Sequence, residues 1–387
     1  MKFSQFSHIP LSPTMAMNER AMIKQKQGEP VYNLSAGEPM INTADVVVDA
    51  AYRAMKKGET HYAPLMGISA LRDVFVEWMN RTYHTSYLRD EVIVTTGGKH
   101  ALYSIVEAMI NPGDEAIVIA PYWVSYMSMV SLQGGTAVVV DTSEHDGWKI
   151  SLEKLETAIH DNTKILFLNN AGNPTGVLYA RDELEAIVAL CASRGVLLVS
   201  DEVYSGLVYD SHEFFSAGSF EQYRDNVCVV QSCSKHFAMT GWRVGFACGP
   251  TALMETLKIL QSQSTSGTST ISQWAALTAI EHADEIITHV RDTMVKRRNT
   301  FVDTFNAHFH HPLSYPGASL YCFIPLSTFG IQEQSSLAFC LDVLEQYNVA
   351  LVPGSAFGME GYVRASFGVN TTDIVDAVQK LATFYVS

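Results

Sequence analysis

A chain of 387 residues in which 47% are hydrophobic and 17% charged has the balance of a folded globular protein and the length for two domains, which excludes disordered and fibrous classes. Its formal net charge of −14 argues against a nucleic-acid partner, because neutralising phosphate needs clustered Lys and Arg. No run of about 18 apolar residues offers a membrane span.

The N-terminal stretch MKFSQFSHIPLSP lacks the apolar core of a secretory signal. Next along the chain, EVIVTT (91–96) reads as a strand and precedes a helical stretch from about Lys99 to Ile110. EAIVIA (115–120), TAVVV (136–140), KILFLN (164–169), VLLVS (196–200) and VCVVQ (227–231) repeat that pattern. Continuous apolar strands alternating with helices predict an α/β fold, a mostly parallel sheet covered on both faces. Beyond it, a charged helix from about Asp284 to Phe305 leads into SLYCFIP, VALVP and GYVRASFG and a last helix, which predicts a smaller α+β domain. The expected division is an N-terminal arm with part of the small domain (1–46), a large domain (47–284) and a small C-terminal domain (285–387). Six scattered cysteines (Cys191, Cys228, Cys233, Cys248, Cys322, Cys340) form no CxxC pair. They predict reduced thiols and a cytoplasmic location.

Four short segments carry chemistry. TTGGKHALY (95–103) sets Gly97 and Gly98 between a strand and a helix, where backbone N–H groups and the helix dipole favour an anion. Taken alone, such a turn also serves as a plain connection, and it is no GxxxxGK[ST] loop, since His100 follows Lys99. NPTG (173–176) follows a strand and reads first as a β-turn. VLLVSDEVY (196–204) sets Asp201 at the carboxyl end of a buried strand, the edge at which open α/β sheets bind ligands, with Tyr204 just beyond. In SCSKHFAMTGWRVGF (232–246), Lys235 follows Ser232 and Ser234 at another strand end, and a desolvated lysine is a usable amine nucleophile. These parts fit pyridoxal 5′-phosphate (PLP). Lys235 can form the Schiff base, and Asp201 can keep the pyridine nitrogen protonated. Ser232, Ser234, Arg243 and the Gly98 turn can bind the phosphate, Asn173 and Tyr204 the ring oxygen, and Trp123 of PYWVSY (121–126) the ring face. His308, His310 and His311 of NAHFHHP are read as solvated surface, not a metal site.

With LSAGEP (34–39), HYAPLMG (61–67), VPGSAFG (352–358) and YVRASFG (362–368) added, the blocks in this order resemble class I aminotransferases of PLP fold type I. Among these, the chain is most similar to the bacterial-type aspartate aminotransferases. The resemblance makes Lys235 the Schiff-base lysine and proton carrier, and gives Asp201, Tyr204 and Asn173 to the ring. Asn173 and Trp123 also face the substrate. It implies that Arg364 grips the substrate α-carboxylate, that Gly37 contacts it through the backbone, and that Gly98 and Lys99 donate backbone N–H groups to the phosphate. It further implies a homodimer with shared sites, in which Tyr62 reaches the neighbour's phosphate.

The implied activity is transfer of the amino group of L-aspartate to 2-oxoglutarate by a ping-pong route. Aromatic, prephenate or alanine aminotransferases and a cysteine-conjugate β-lyase are same-fold alternatives, and a PLP-binding regulatory protein is one of another class. For the second carboxylate the sequence offers few cations. Arg364, Arg243 and Lys235 have roles, and Val244 to His289 contains no arginine and only Lys258. That leaves Lys99, where the resembling enzymes place their distal-carboxylate lysine. HIPLSPTM (8–15) lacks the basic residue associated with prephenate use. Two departures stand out: MINT (40–43) replaces the family's frequent Asp-Phe pair, and Gly172 precedes NPTG where a second Asn is frequent.

Overall fold

The computed structural model describes residues 13–331 and 335–386, so residues 1–12 of the expected arm and most of HIPLSPTM lie outside the described residues. The strands in chain order are β1 (Tyr32–Asn33), β2 (Val92–Thr95), β3 (Glu115–Ala120), β4 (Thr136–Asp141), β5 (Thr163–Asn169), β6 (Leu197–Asp201), β7 (Val227–Ser232), β8 (Gly245–Cys248), β9 (Tyr321–Pro325), β10 (Val349–Ala350), β11 (Val352–Pro353) and β12 (Tyr362–Ser366).

Seven of these form one sheet in the order β2-β8-β7-β6-β5-β3-β4. The pairs β3–β4, β3–β5, β5–β6 and β6–β7 are parallel, whereas β8 runs antiparallel to both β2 and β7. The side-chain period of two sends alternate residues to opposite faces. Leu166, Leu168, Leu198, Val227 and Val229 join one buried cluster, while Ile165, Phe167, Leu197, Val199, Cys228 and Val230 join another. Full burial of each such aliphatic side chain stabilises the fold by roughly 1.5–3 kcal/mol. Every residue of β6 and β7 is buried, but β4 at the sheet edge exposes Thr136, Val139 and Asp141. The strands read from sequence are all present.

The sequence reading missed β8. Its four residues, GFAC, are too short for a periodic signal and follow directly on the glycine-containing lysine segment. The helix after β2 spans Gly98–Met109 and buries Ala101, Leu102, Ile105 and Val106, a stripe at helical spacing. The long helix spans Ala283–His308; it buries Ile286, Val290, Met294, Phe301, Val302 and Phe305 along one side.

A second, antiparallel sheet has the order β11-β12-β9, and β1 pairs in parallel with β10. The first buried cluster runs on from the large sheet into these elements through Tyr321, Val349, Leu351, Val363 and Phe367. Among the described residues no helix is long and apolar enough to cross a membrane. All six cysteines are free and buried, and burial raises each thiol's pKa.

Candidate active site

The carboxyl ends of β2, β3, β5, β6 and β7 share one edge of the sheet, and antiparallel β8 begins there, so Arg243 is delivered to the same edge. A cavity of about 490 Å³ opens there. Of the residues given a cofactor or substrate role from the sequence, all but Tyr62 line it: Gly37, Gly98, Lys99, Trp123, Asn173, Asp201, Tyr204, Ser232, Ser234, Lys235, Arg243 and Arg364.

At its centre Asp201 is buried at 4% exposure, and Tyr126 Oη donates to its Oδ2 at 2.6 Å. Burial pushes the carboxyl up to about 6, while the bond from Tyr126 and the Lys235 charge pull the other way. Lys235 is half-buried, and its Nζ donates to the Gly37 carbonyl at 2.5 Å. Desolvation lowers its amine to about 8, against an opposing contribution from Glu38. The Tyr204 hydroxyl stands 2.7 Å from that of Tyr321. Asn173 is placed by its own backbone N–H, which donates to Asn169 Oδ1 at 2.7 Å, and Asn169 Nδ2 in turn donates to the Asp201 carbonyl at 2.8 Å. Trp123 meets Tyr126 edge to face at 5.4 Å, and Tyr126 stacks on Phe167 at 4.6 Å.

One end of the cavity is built for an anion. Ser232 Oγ donates to Ser234 Oγ at 2.8 Å, and both residues are buried. Gly97 sits at φ +81°, and a Cβ there would collide with the Arg243 guanidinium. The glycine thus lets Arg243 lie against the N-terminus of helix Gly98–Met109, which presents free N–H groups and a favourable dipole.

The other end holds Arg364, 3% exposed on β12. Its Nη1 donates to Asn173 Oδ1 at 3.0 Å and its Nη2 to the Ser35 carbonyl at 2.9 Å, while buried Nε has no partner. The guanidinium lies over the Tyr321 ring at 4.1 Å. Lys99 is exposed, with Nζ 4.9 Å from the Trp123 ring centroid; desolvation and then the nearby Arg243 lower its pKa. Tyr62 lies elsewhere, 91% exposed in a groove formed with residues 265–271.

Residues 29–381 match the family model "Aminotransferase class I and II". The chain belongs to that aminotransferase family. It is 35% identical to the aspartate aminotransferase of Geobacillus stearothermophilus, over 96% of each chain. It is 36% identical to the aspartate/prephenate aminotransferase of Thermus thermophilus, over 96% of this chain and 95% of that one. The structure of the Thermus thermophilus aspartate aminotransferase with maleate superposes with a TM-score of 0.94 at 35% identity, covering 99% of this chain and 100% of that one.

Sequence reading had given no role in this aminotransferase to Tyr126, Tyr321, Glu38 or Thr240. Tyr126 stood inside a quoted motif, but its bond to Asp201 spans 75 positions and leaves no local signal. Thr240 Oγ1 donates to Glu38 Oε2 at 2.6 Å, tying the LSAGEP loop to the lysine loop. The departure MINT is anchored through Thr43, which donates to the Ala238 carbonyl at 2.9 Å and accepts from Trp242 Nε1 at 2.9 Å. At Gly172 a Cβ would stand 2.7 Å from Val177 Cγ1, so the turn before NPTG packs around glycine. His308, His310 and His311 are exposed.

Proposed function

We propose that this aminotransferase binds pyridoxal 5′-phosphate and transfers the amino group of L-aspartate to 2-oxoglutarate. The residues fit the cofactor: a buried acid and a desolvated amine face one cavity, with the glycine–serine–arginine cradle at one end and an orphaned guanidinium nitrogen at the other. When bound, PLP supplies an aldehyde that condenses with amines and a protonated ring that accepts the electron pair of a broken Cα–H bond.

Asp201, buried with Tyr126 on one oxygen, would hold the ring nitrogen protonated. Ser232, Ser234, Arg243 and the N–H groups of Gly98 and Lys99 would hold the phosphate. Tyr204 and Asn173 would donate to the ring oxygen. Lys235, with its amine lowered to about 8, is neutral in a useful fraction near neutral pH and can carry a proton to and from the substrate α-carbon. Arg364 would grip the α-carboxylate through its two-pronged fork, with the Gly37 backbone beside it.

The single observation that carries the aspartate reading is Lys99, a cation on the cavity wall that pairs with no carboxylate among the described residues. An acidic protein otherwise repels a dianion, so one well-placed cation weighs heavily in selectivity.

A homodimer with shared sites belongs to the same proposal. Supporting it are the 91% exposure of Tyr62 and a neighbouring cavity of about 420 Å³ that reaches Lys99, His100 and Arg243 from outside. The division into 1–46, 47–284 and 285–387 is proposed on the large sheet lying within 92–248 and the β9–β11–β12 sheet within 321–366. A cytoplasmic location is proposed on the six free thiols.

The test is a half-reaction without acceptor, followed by absorbance. Aspartate and glutamate should convert the bound cofactor to its amine form with one equivalent of 2-oxo acid, and added 2-oxoglutarate should reverse it. Conversion by alanine or phenylalanine more efficiently than by aspartate would refute the substrate assignment.

A further inference from the structure

A tyrosine hydroxyl has one proton to give and accepts through its lone pairs. The hydroxyls of Tyr204 and Tyr321 stand 2.7 Å apart, so one proton lies between them and one of the two donates. Both side chains are buried, at 4% and 1% exposure, where an unpaired hydroxyl is costly. Resting on the function proposed above, Tyr204 turns its only proton toward the ring oxygen of the cofactor. The proton between the tyrosines then belongs to Tyr321.

Tyr321 is fixed from three sides. Its ring meets Tyr204 edge to face at 5.9 Å and 77°, and the Arg364 guanidinium lies over it at 4.1 Å. Its backbone is paired to β12 in register Tyr321↔Ser366, two residues from Arg364. A Cβ on Gly37 would stand 2.6 Å from the Tyr321 hydroxyl, so that oxygen lies against the loop that also accepts from Lys235. One side chain therefore touches the α-carboxylate grip, the ring-oxygen donor and the loop facing the Schiff-base lysine.

We propose that Tyr321 is a positioning residue that donates to Tyr204, thereby holding Tyr204's own proton on the cofactor's ring oxygen. A hydroxyl that accepts one hydrogen bond becomes a better donor in the next, so the pair acts as a two-step relay.

The measurement is an absorbance–pH titration of the Lys235-linked chromophore in the reconstituted enzyme. A donor to the ring oxygen stabilises its anionic form, so losing the donor moves the transition to higher pH. Tyr204→Phe is expected to raise the midpoint by about one unit and Tyr321→Phe by about half a unit, the scale of one neutral hydrogen bond lost directly or one step away. In a Tyr204→Phe background, Tyr321→Phe should add less than about 0.2 unit, because a residue that acts through another is silent without it. Phenylalanine keeps the ring beneath Arg364. As a second variant, 3-fluorotyrosine at 321 is a more acidic donor and should lower the midpoint.

A Tyr321→Phe titration that superimposes on wild type while Tyr204→Phe shifts would overturn the relay and leave the Tyr204 assignment standing. The same shift from Tyr321→Phe in both backgrounds also overturns it. An unmoved Tyr204→Phe titration removes the Tyr204 role and the relay with it.

Discussion

In the proposed function Arg364 and Lys99 are the two cations that would meet the substrate, and the fold treats them in opposite ways. Arg364 is 3% exposed, held by Asn173 and Ser35 and floored by Tyr321. Lys99 is exposed, and its Nζ rests over Trp123. A charge held rigidly out of water must always meet the same anion, which suits the α-carboxylate common to every amino acid. A charge reachable from solvent on a flexible stem can meet a far carboxylate when one is present and turn aside when none is, and so can grade side chains. The same contrast separates buried Asp201 and desolvated Lys235 from Tyr62, 91% exposed, which the proposed homodimer would cover.

The buried side of this comparison should break hardest. Lys235→Ala should abolish the borohydride-reducible link to the cofactor, checked by peptide mass after reduction; a link at another lysine would contradict the assignment. Asp201→Ala should retain cofactor but lose on the order of 10²–10³-fold or more in kcat with little change in KM, as removal of a preorganised electrostatic group does.

The exposed side should break more softly and in ways another chain can repair. Tyr62→Phe mixed with inactive Lys235→Ala should regain activity above the Tyr62→Phe parent, because one site of the heterodimer then carries neither lesion. No recovery would place Tyr62 with its own chain's site.

The smallest effect concerns Glu202, fully buried beside Asp201. Its Oε1 accepts from Ser200 Oγ at 2.8 Å and Ala217 N at 2.9 Å, while Oε2 has no partner. Burial pushes its carboxyl up to about 7 from an ordinary 4.5. Between those values the folded state holds a proton that the unfolded state has lost, so stability falls as pH rises from about 4.5 to about 7. Glu202→Gln should flatten that decline in melting temperature; an unchanged pH slope would show that Glu202 does not cause it.

Much of the fold was legible because its central strands are local signals. Apolar β-branched runs such as KILFLN and VCVVQ, alternating with helical stretches, pointed to a sheet buried on both faces. Asn173, Asp201, Ser232, Ser234 and Lys235 were legible because they sit in short motifs at strand ends, where topology gathers them, whereas Gly37 and Arg364 came only from the family resemblance. What the sequence hid is non-local. β1 finds its partner in β10, Tyr126 reaches Asp201, and Tyr321 reaches Tyr204 across 117 positions. No periodicity encodes such meetings. β8 was hidden for a different reason, since a four-residue strand carries too few alternations to register.

The most direct test of the division of labour is the ratio of kcat/KM for aspartate to that for alanine, in Lys99→Ala and in Arg364→Lys. Arg364→Lys should cost about 10²-fold for both substrates and leave the ratio near its wild-type value, since a point charge replaces the fork on a carboxylate that both possess. Lys99→Ala should lower aspartate about tenfold, the scale of one charge-assisted hydrogen bond, and barely touch alanine. Equal losses for both substrates in Lys99→Ala would contradict the account and return Lys99 to the phosphate.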